Sequence, residues 1–493
     1  MLWLIHRMNS KSMKMKLWKS QRVDNIKQLF PEKERDSYKA DESQDGEVQF
    51  SAQDHFKVNN FNVILNKLDS DFEKDLRKIF ELSALFRSKL ETEEYQPKDM
   101  ALVHEMFTND FFTKVFEKQI KNFKEALNVS TSDVITAGEC FTSDLLRVRV
   151  TYSTTLGRDD EVVSVIVKFL NDSEEQKALN EDLQLFDNES CFYGEVFPLM
   201  AKMGFQERIG PKAYLISKSM IIMEDMSALG YKMHNRQEGL DLEHCLAVVK
   251  KLATFHAASA ALQKNNPELL KKFKLEAKGK EKVIKKFISV TCPELLKVLS
   301  KVKGLQKYVT KIPTMEDFFQ KLQSAKACTG AFNVLNHGDF WCNNILFQYK
   351  PDGEVKDAVF VDYQHGHIGS PFLDLHYLFG TSVKTQNKST IIDTSLNCYL
   401  DELLSNLKKL NVDDAATREQ LLEDFKIRSI MGFAALCLGV PLFRAASNAN
   451  ASVQNFLEED GENSFRYHCF NSPEYVEELK ELLPFYDNLG TFD

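Results

Sequence analysis

Two short apolar runs, residues 345–347 and 358–361, flank a Pro-Asp-Gly sequence that ends at Gly353. That sequence is typical of a tight turn, because proline fixes φ and glycine tolerates positive φ. Two apolar runs around such a turn predict a β-hairpin. Asn344 and Asp362 are equally distant from Gly353 in the sequence. Folding the hairpin about this glycine should therefore bring the two side chains roughly opposite each other.

The apolar pattern elsewhere predicts further strands and helices. Strands are predicted at residues 134–138, 145–152, 162–170 and 214–223. Apolar positions at helical spacing predict helices at 56–90, 174–193, 242–262 and 372–379, with mainly helical structure over 264–330 and 386–493. Pro293 is expected at a helix start, because proline is well tolerated in the first helical turn.

Length and charge limit the class of protein. A chain of 493 residues can bury a large core and hold two or three domain-sized units. Its net charge of −9 supplies no basic field, so we expect no nucleic-acid partner. Nine cysteines without a CxxC pair indicate reduced thiols and a cytoplasmic protein. Residues 1–50 show no periodic apolar face, which predicts a disordered tail.

Neither apolar segment that could suggest a membrane is long enough to span one. The first five residues, MLWLI, form too short a core for a signal peptide. Residues 429–443 would extend about 22 Å as a helix, at roughly 1.5 Å per residue. A bilayer core is about 30 Å thick. We therefore expect a buried helix there and no membrane span.

The strongest chemical signal begins just before the hairpin. His337-Gly338-Asp339 is followed five residues after the aspartate by Asn344, and the second apolar run ends in Asp362. An amide oxygen and a carboxylate at one end of a hairpin suit a hard cation such as Mg²⁺. Asp339 could accept a proton from a hydroxyl. A base followed by two metal ligands is the arrangement used in kinase-type phosphoryl transfer.

This stretch resembles the H-G-D-x-W-x-x-N segment and the following aspartate of the ecdysteroid kinase-like family, related to choline kinases and aminoglycoside phosphotransferases. Trp341 and the doubled Asn343-Asn344 favour that branch. Gly338 stands where protein kinases commonly have arginine. Gln364 stands where they have the glycine of Asp-Phe-Gly. Both differences indicate a small-molecule acceptor and no switch by loop phosphorylation.

The resemblance implies further nucleotide-binding residues upstream. The sequence GECFTS, which ends at Ser143, is similar to the family's G-E-N-Y-x-S phosphate loop, with Cys140 in place of asparagine. Lys168 and Glu189 correspond to the family's strand lysine and helix glutamate. Without the resemblance, Lys168 would be taken for an exposed strand lysine.

Glu224 and Met226 fall in the family's hinge element, where backbone groups hold the adenine. Asp374 corresponds to the family's later D-L pair and is expected to brace the loop by capping the helix at residues 372–379. The match is expected over residues 107–490. It implies an α+β, two-lobed protein-kinase-like fold with a small antiparallel-sheet N-lobe at residues 107–226 and a helical C-lobe at residues 227–493. Residues 1–106 would be an N-terminal extension.

The resulting hypothesis is an ATP- and Mg²⁺-dependent kinase, expected to be a monomer. Its acceptor would be a small hydroxylated molecule such as an ecdysteroid or a xenobiotic. Two alternatives remain open: a catalytically inactive relative that binds nucleotide or ligand, and a regulatory protein whose function resides in residues 1–106. His256 lies on the buried stripe of its helix and is predicted to be structural. His365 and His367 lack further metal-site partners in the sequence, which argues against zinc.

Overall fold

The computed structural model describes residues 107–133, 144–170, 184–273, 280–327, 332–412, 416–444 and 452–493. The predictions for residues 1–106 lie outside these ranges, as do those for Cys140 and Ser143. The proposed segment boundaries at residues 106 and 226 stay predictions.

Five strands form the first sheet, in the order β1-β2-β3-β5-β4. They are β1 (Phe123–Asp133), β2 (Asp144–Thr154), β3 (Glu161–Phe169), β4 (Ala213–Ile216) and β5 (Met220–Glu224). The strand pattern therefore begins about ten residues earlier than predicted. The single strand predicted at 214–223 is two strands, because the Ser217 hydroxyl accepts hydrogen bonds from the N–H groups of Ser219 and Met220 and closes a turn.

The predicted hairpin is confirmed, with a register shifted by one residue. Strands β8 (Ile345–Tyr349) and β9 (Val355–Phe360) pair antiparallel, and β6 (Tyr231–Met233) adds to β8. An irregularity between Gln348 and Tyr349 moves the pairing, so that Ile345 faces Phe360. The carbonyl of Asn344 consequently accepts from the N–H of Val361 at 3.0 Å. A separate pair joins β7 (Val334–Asn336) to β10 (His367–Gly369).

Helices occupy most of the remaining described chain. They are α1 (Asn109–Phe116), α2 (Leu185–Cys191), α3 (Phe197–Lys202), α4 (Leu242–Asn265), α5 (Pro267–Leu270), α6 (Lys280–Lys301), α7 (Met315–Lys326), α8 (Phe372–Thr381), α9 (Lys388–Lys409), α10 (Arg418–Ile427), α11 (Ser429–Ala434), α12 (Val440–Arg444), α13 (Val453–Glu458), α14 (Phe465–Phe470) and α15 (Pro473–Asn488). Asp241 caps α4 by accepting from the N–H of His244. The prediction for Pro293 is wrong, since this residue lies inside α6.

The fold is the α+β, two-lobed protein-kinase-like type predicted from the sequence, with a small antiparallel sheet and a large helical lobe. Helix α4 packs along α9 in the helical lobe. The described residues divide into two compact units. One contains Ser164–Asp493 with the end of β1 and the start of β2, and the other contains α1 with the rest of β1 and β2 and the start of β3. All residues of the site described below belong to the first unit.

One described helix, α4, is long and apolar enough to cross a membrane, but 78% of its apolar window is buried within the protein. Helix α10 and the segment Ser429–Arg444 pass the same test only as a pair, across a 40° bend. Residues 429–443, predicted as a buried helix, form α11, a π-helical turn and most of α12, and nearly all of them are buried.

Candidate active site

Three charged side chains from distant parts of the chain meet in one cluster. Lys168, near the end of β3, places its Nζ 2.5 Å from Glu189 Oε2 on α2 and 2.7 Å from Asp362 Oδ1 just after β9. Lys168 and Glu189 are buried, whereas the Asp362 side chain is 25% exposed. Lys168 is therefore not the exposed strand lysine of the simpler interpretation.

Burial and charge act in opposite directions within this cluster. Burial by itself would lower the pKa of Lys168, but the carboxylates of Asp362 and Glu189 outweigh it and raise the pKa above its ordinary value. Burial raises the pKa of Glu189, and the Lys168 charge opposes that rise. The lysine is thus a persistent cation held by two acids.

Asp339 and Asn344 are in direct contact beside this cluster. The Asn344 Nδ2 donates to the carbonyl of Asp339 at 2.8 Å and to its Oδ2 at 3.1 Å. Asp339 is 1% exposed, and its Oδ1 has no hydrogen-bond partner among the described residues. Burial raises the pKa of the Asp339 carboxyl to about 6, and the nearby Asp362 carboxylate acts in the same direction. A buried carboxylate oxygen without a partner can accept a proton from a ligand hydroxyl.

Asp374 holds the backbone of the loop at residues 337–344, named the catalytic loop for the predicted base it carries. Its Oδ2 accepts from the N–H of His337 at 2.7 Å, and its Oδ1 accepts from the N–H of Gly338 at 2.9 Å. The prediction was that Asp374 braces this loop by capping the helix at residues 372–379. The capping part is wrong, because the first turn of α8 shows no side-chain cap and Ser370 accepts from the Phe372 N–H.

His256 has the structural role predicted for it. It is fully buried, with its Nδ1 2.7 Å from the Tyr399 hydroxyl and its Nε2 3.4 Å from Asp374 Oδ2. Burial lowers the pKa of His256, so the ring stays neutral at physiological pH.

The glycine before Asp339 is required by the geometry of the loop. Gly338 has a φ of +84°, and a Cβ there would stand 2.0 Å from the carbonyl oxygen of His365. No side chain fits at this position, which explains the absence of the arginine that protein kinases commonly have.

Gly338→Ala is expected to destabilise the protein by about 2 kcal/mol or more, since strained backbone alone costs on the order of 1–3 kcal/mol. Turnover should fall as well, because the loop must move to relieve the contact with His365. Urea unfolding and steady-state kinetics would measure both effects. Gly353→Ala is the matched control: its φ is +91°, but a Cβ there meets nothing within 4 Å. Equal losses of stability in the two variants would contradict the steric argument.

An aromatic cluster that the sequence analysis missed connects the loop after Asp362 to the helix that carries Glu189. The ring of Tyr363, fully buried, lies 4.7 Å from the ring of Phe192 and 4.7 Å from that of His337. Phe192 opens a π-helical turn directly after α2, a feature often found at functional sites. The only sequence signal was the spacing of aromatic residues around Glu189.

Asp362 and its neighbour Gln364 complete this loop. Asp362 has a φ of +69°, which is uncommon for a non-glycine residue and can mark a functional position. Its Oδ2 accepts from Gln364 Nε2 at 3.0 Å. The second oxygen of the carboxylate is thus also oriented, which sequence spacing alone did not predict.

At the predicted hinge, Glu224 is engaged within the sheet lobe. Its carboxylate pairs with Arg208 and accepts from the N–H of Lys212, while its own N–H donates to the Lys212 carbonyl. Met226 is buried and packs with Tyr231. The Glu224 carboxylate is thus engaged by contacts within the protein.

The two predicted metal ligands, Asn344 and Asp362, offer an amide oxygen and a carboxylate, which fit a hard cation better than a soft one. Within the described ranges, no group of three or more His, Cys, Asp or Glu side chains is placed to hold a metal ion. A cation here would thus need the amide oxygen of Asn344 as a ligand. The amide nitrogen of the same side chain already donates to Asp339. The residues fit Mg²⁺ in donor chemistry.

The fold and this arrangement define a protein-kinase-like phosphotransferase. The chain belongs to the ecdysteroid kinase-like family, whose profile matches residues 137–412. It is therefore a small-molecule kinase with an alcohol group as acceptor, as predicted. The match covers more than half of the chain but is narrower than the expected 107–490.

Solved structures of small-molecule kinases resemble the chain. A choline kinase from Cryptosporidium parvum is 13% identical, with 77% of this chain and 96% of that chain covered and a TM-score of 0.38. An ethanolamine kinase from Plasmodium vivax is 13% identical over 73% and 83% of the two chains, with a TM-score of 0.37. A choline kinase from Streptococcus pneumoniae is 15% identical over 76% and 99%, with a TM-score of 0.33. No curated protein matches the chain.

Proposed function

We propose that this protein transfers the γ-phosphoryl group of ATP to a hydroxyl of a small organic acceptor in a Mg²⁺-dependent reaction. One observation carries the proposal: the Lys168–Glu189–Asp362 ion cluster occurs together with the Asp339–Asn344 contact in one compact unit. Kinase-type transfer needs a phosphate-binding lysine, oxygen ligands for a metal and a nearby base.

Asp339 orients the acceptor hydroxyl and takes its proton. Its Oδ1 suits this role because the oxygen is buried and has no hydrogen-bond partner within the described residues. Asn344 keeps the carboxylate in place by donating to its Oδ2 and to the backbone carbonyl of the same residue. The contribution of Asp339 is thus both orientation and proton transfer.

Lys168 positions the phosphates of ATP, and Glu189 holds the ammonium in place for that task. Asn344 and Asp362 would hold Mg²⁺, which when bound neutralises charge on the phosphates. The Glu224 carbonyl and the Met226 backbone would contact the adenine. Ser143 would contribute to the phosphate loop, as the family resemblance implies.

The acceptor we propose is an ecdysteroid or another hydroxylated compound such as a xenobiotic. Support comes from the family to which the chain belongs. A screen of hydroxylated steroids and plant metabolites with Mg-ATP, read by mass spectrometry as the mass gain of a phosphoryl group, tests this class. If the protein turns over ATP but phosphorylates only unrelated alcohols, the proposed acceptor class is wrong, whereas the proposed reaction type is still supported.

Chelation of divalent cations is expected to reduce turnover at least 10²-fold, because the phosphates then lose their charge neutralisation. ADP release should be compared in excess Mg²⁺, in excess EDTA, and after Mg²⁺ is restored to the EDTA sample. A thermal-shift titration with ATP should likewise show weaker binding without Mg²⁺. Unchanged turnover in EDTA would remove the metal from the proposal.

A catalytically inactive relative would behave differently in the same pair of measurements. It would show a thermal shift with Mg-ATP but neither ADP release nor acceptor phosphorylation.

A further inference from the structure

A buried serine from a distant segment forms a hydrogen bond with the catalytic loop. Ser382, in the segment between α8 and α9, is fully buried, and its Oγ accepts from the backbone N–H of Cys342 at 2.9 Å. Cys342 lies between Asp339 and Asn344 and opens the 3-10 turn Cys342–Asn344. The hydrogen bond therefore fixes the backbone between the proposed base and a proposed metal ligand.

The backbone of the same serine is fixed on two further sides. Its carbonyl accepts from the N–H of Leu240 at 2.7 Å, and its N–H donates to the carbonyl of Leu378 at 2.9 Å. Ser382 thus connects the catalytic loop to α8 and to the segment that precedes α4. A displacement of this residue would be transmitted to the loop.

A buried charge cluster lies around this segment, with Glu478 of α15 at its centre. Glu478 is fully buried, and its Oε2 lies 2.7 Å from Lys388 Nζ. Its Oε1 accepts from the Thr385 hydroxyl at 2.7 Å and lies 3.3 Å from Arg444 Nη2. One anion therefore balances two buried cations.

The two cations hold the backbone on both sides of Ser382. Lys388 Nζ donates to the carbonyl of Gly380 at 3.1 Å, and Arg444 Nη2 donates to the carbonyl of Val383 at 3.0 Å. Without the anion, both cations would be buried without compensation, which is strongly unfavourable. The position of the segment therefore depends on a carboxylate from the C-terminal helix.

Arg444 and Glu478 both lie beyond residue 412, where the family match ends. Arg444 also donates to the carbonyls of Arg236 and Gln237, at 2.6 Å and 3.1 Å, in the loop that precedes α4. The C-terminal region thus makes polar contacts with the segment that follows Ser382 and with the loop before α4, and its Phe443 stacks on Trp341 of the catalytic loop.

We propose that Ser382 is a positioning residue for phosphoryl transfer and that the Glu478 charge cluster keeps it in place. The inference rests on the proposed roles of Asp339 and Asn344. Removal of the serine hydroxyl would leave the buried Cys342 N–H without its acceptor. The loop would then shift to satisfy this group, and a displacement of about 1 Å in a catalytic site can cost roughly 10²-fold in rate.

The first test measures ADP release from Mg-ATP, with water as the acceptor. In Ser382→Ala we expect kcat to fall by about 10-fold or more, with KM for ATP within roughly twofold of wild type, because misplacement affects the reacting groups more than nucleotide binding. Ser382→Thr, which keeps the hydroxyl, should recover most of kcat. Wild-type kcat in Ser382→Ala would overturn the proposal.

Ser395→Ala is the matched control for this variant. Ser395 is also fully buried, lies on α9, and makes no hydrogen bond to the catalytic loop. The substitution removes the same hydroxyl at the same depth and should leave kcat unchanged. An equal loss of kcat in both variants would also overturn the proposal, since it would show a general effect of a buried cavity.

The second test addresses the charge cluster. Glu478→Gln keeps the size of the side chain but removes the anion, and should lower both Tm and kcat. Lys388→Met combined with Glu478→Gln removes one uncompensated cation, so Tm should recover in part. The kcat of this double variant should stay low, because the Gly380 carbonyl is no longer held. Wild-type kcat in the folded double variant would refute the role of the cluster.

Asp339→Asn separates this inference from the proposed function. If Asp339→Asn retains turnover, the proposed function fails. If Asp339→Asn is inactive while Ser382→Ala behaves as wild type, only the positioning role of Ser382 fails.

Discussion

Asp339→Asn is expected to reduce turnover of Mg-ATP by about 10²–10⁴-fold, the usual contribution of a general base. The asparagine amide has nearly the same shape and can still contact Asn344, but it cannot take a proton. Because the carboxylate is buried with one oxygen unpaired among the described residues, loss of its charge should not unfold the protein.

The pH dependence of the same variant gives an independent check. Burial raises the pKa of Asp339 from 3.8 to about 6. A raised carboxyl pKa means that the folded protein binds the proton more tightly than the unfolded chain does. The resulting stability is fully present below about pH 4 and is lost as the pH rises through 6. The wild-type protein above pH 6 therefore carries a cost on the order of 2–3 kcal/mol that the asparagine variant lacks.

Two measurements follow from this reasoning. Wild-type turnover should rise with pH as Asp339 ionises. In buffer without Mg²⁺ at pH 8, the Tm of Asp339→Asn should equal or exceed that of wild type, and this advantage should shrink toward pH 4. Asp352→Asn, at the exposed tip of the same hairpin, is the matched control and should leave turnover unchanged. Substantial turnover in a folded Asp339→Asn protein would exclude the proposed base.

Lys168→Met is expected to remove activity and to destabilise the fold. The substitution leaves Glu189 buried beside Asp362 without the cation that both contact at 2.5 and 2.7 Å. Loss of one partner of a buried pair typically costs about 3–5 kcal/mol. Part of the cost is relieved if Glu189 takes up a proton, which its raised pKa makes easier. Lys218→Met, an exposed lysine before β5, is the control.

The double variant Lys168→Met with Glu189→Leu distinguishes a structural from a functional lysine. Apolar replacement of a buried ion pair is often neutral or stabilising. Stability should therefore return toward that of wild type, while turnover stays at least about 10²-fold low because the phosphates have lost their cation. Urea unfolding and ADP release measure the two quantities. If the stable double variant regained turnover, Lys168 would be a structural residue only.

Predictions that depended on neighbouring residues were the most accurate. The hairpin followed from a turn sequence and two apolar runs, and it differs from prediction only by the one-residue shift at Gln348. The strand that carries Lys168 was predicted within one residue at each end. Pro293 shows the limit of local reasoning, because packing of α6 accommodates a proline that its own sequence places at a helix start.

Several contacts of the site residues could not be predicted from the sequence, because the contacting side chains come from distant segments of the chain. Asp374 was expected to cap its own helix but instead accepts from His337 and Gly338 of the catalytic loop. No sequence pattern identified Tyr363 as a packing residue, yet its ring contacts those of Phe192 and His337. These contacts depend on how elements pack, which no local pattern specifies.

The sequence by itself determined the family, the α+β class and the hairpin that brings Asn344 close to Asp362. Turn formation and strand pairing across a short loop depend on a few adjacent residues, so the local sequence is enough to predict the hairpin. Only the tertiary structure decided that Lys168 contacts Asp362, 194 positions away, and that Ser382 holds the Cys342 N–H. Such contacts follow from the packing of whole elements, where buried polar groups take whichever partner the fold brings within reach.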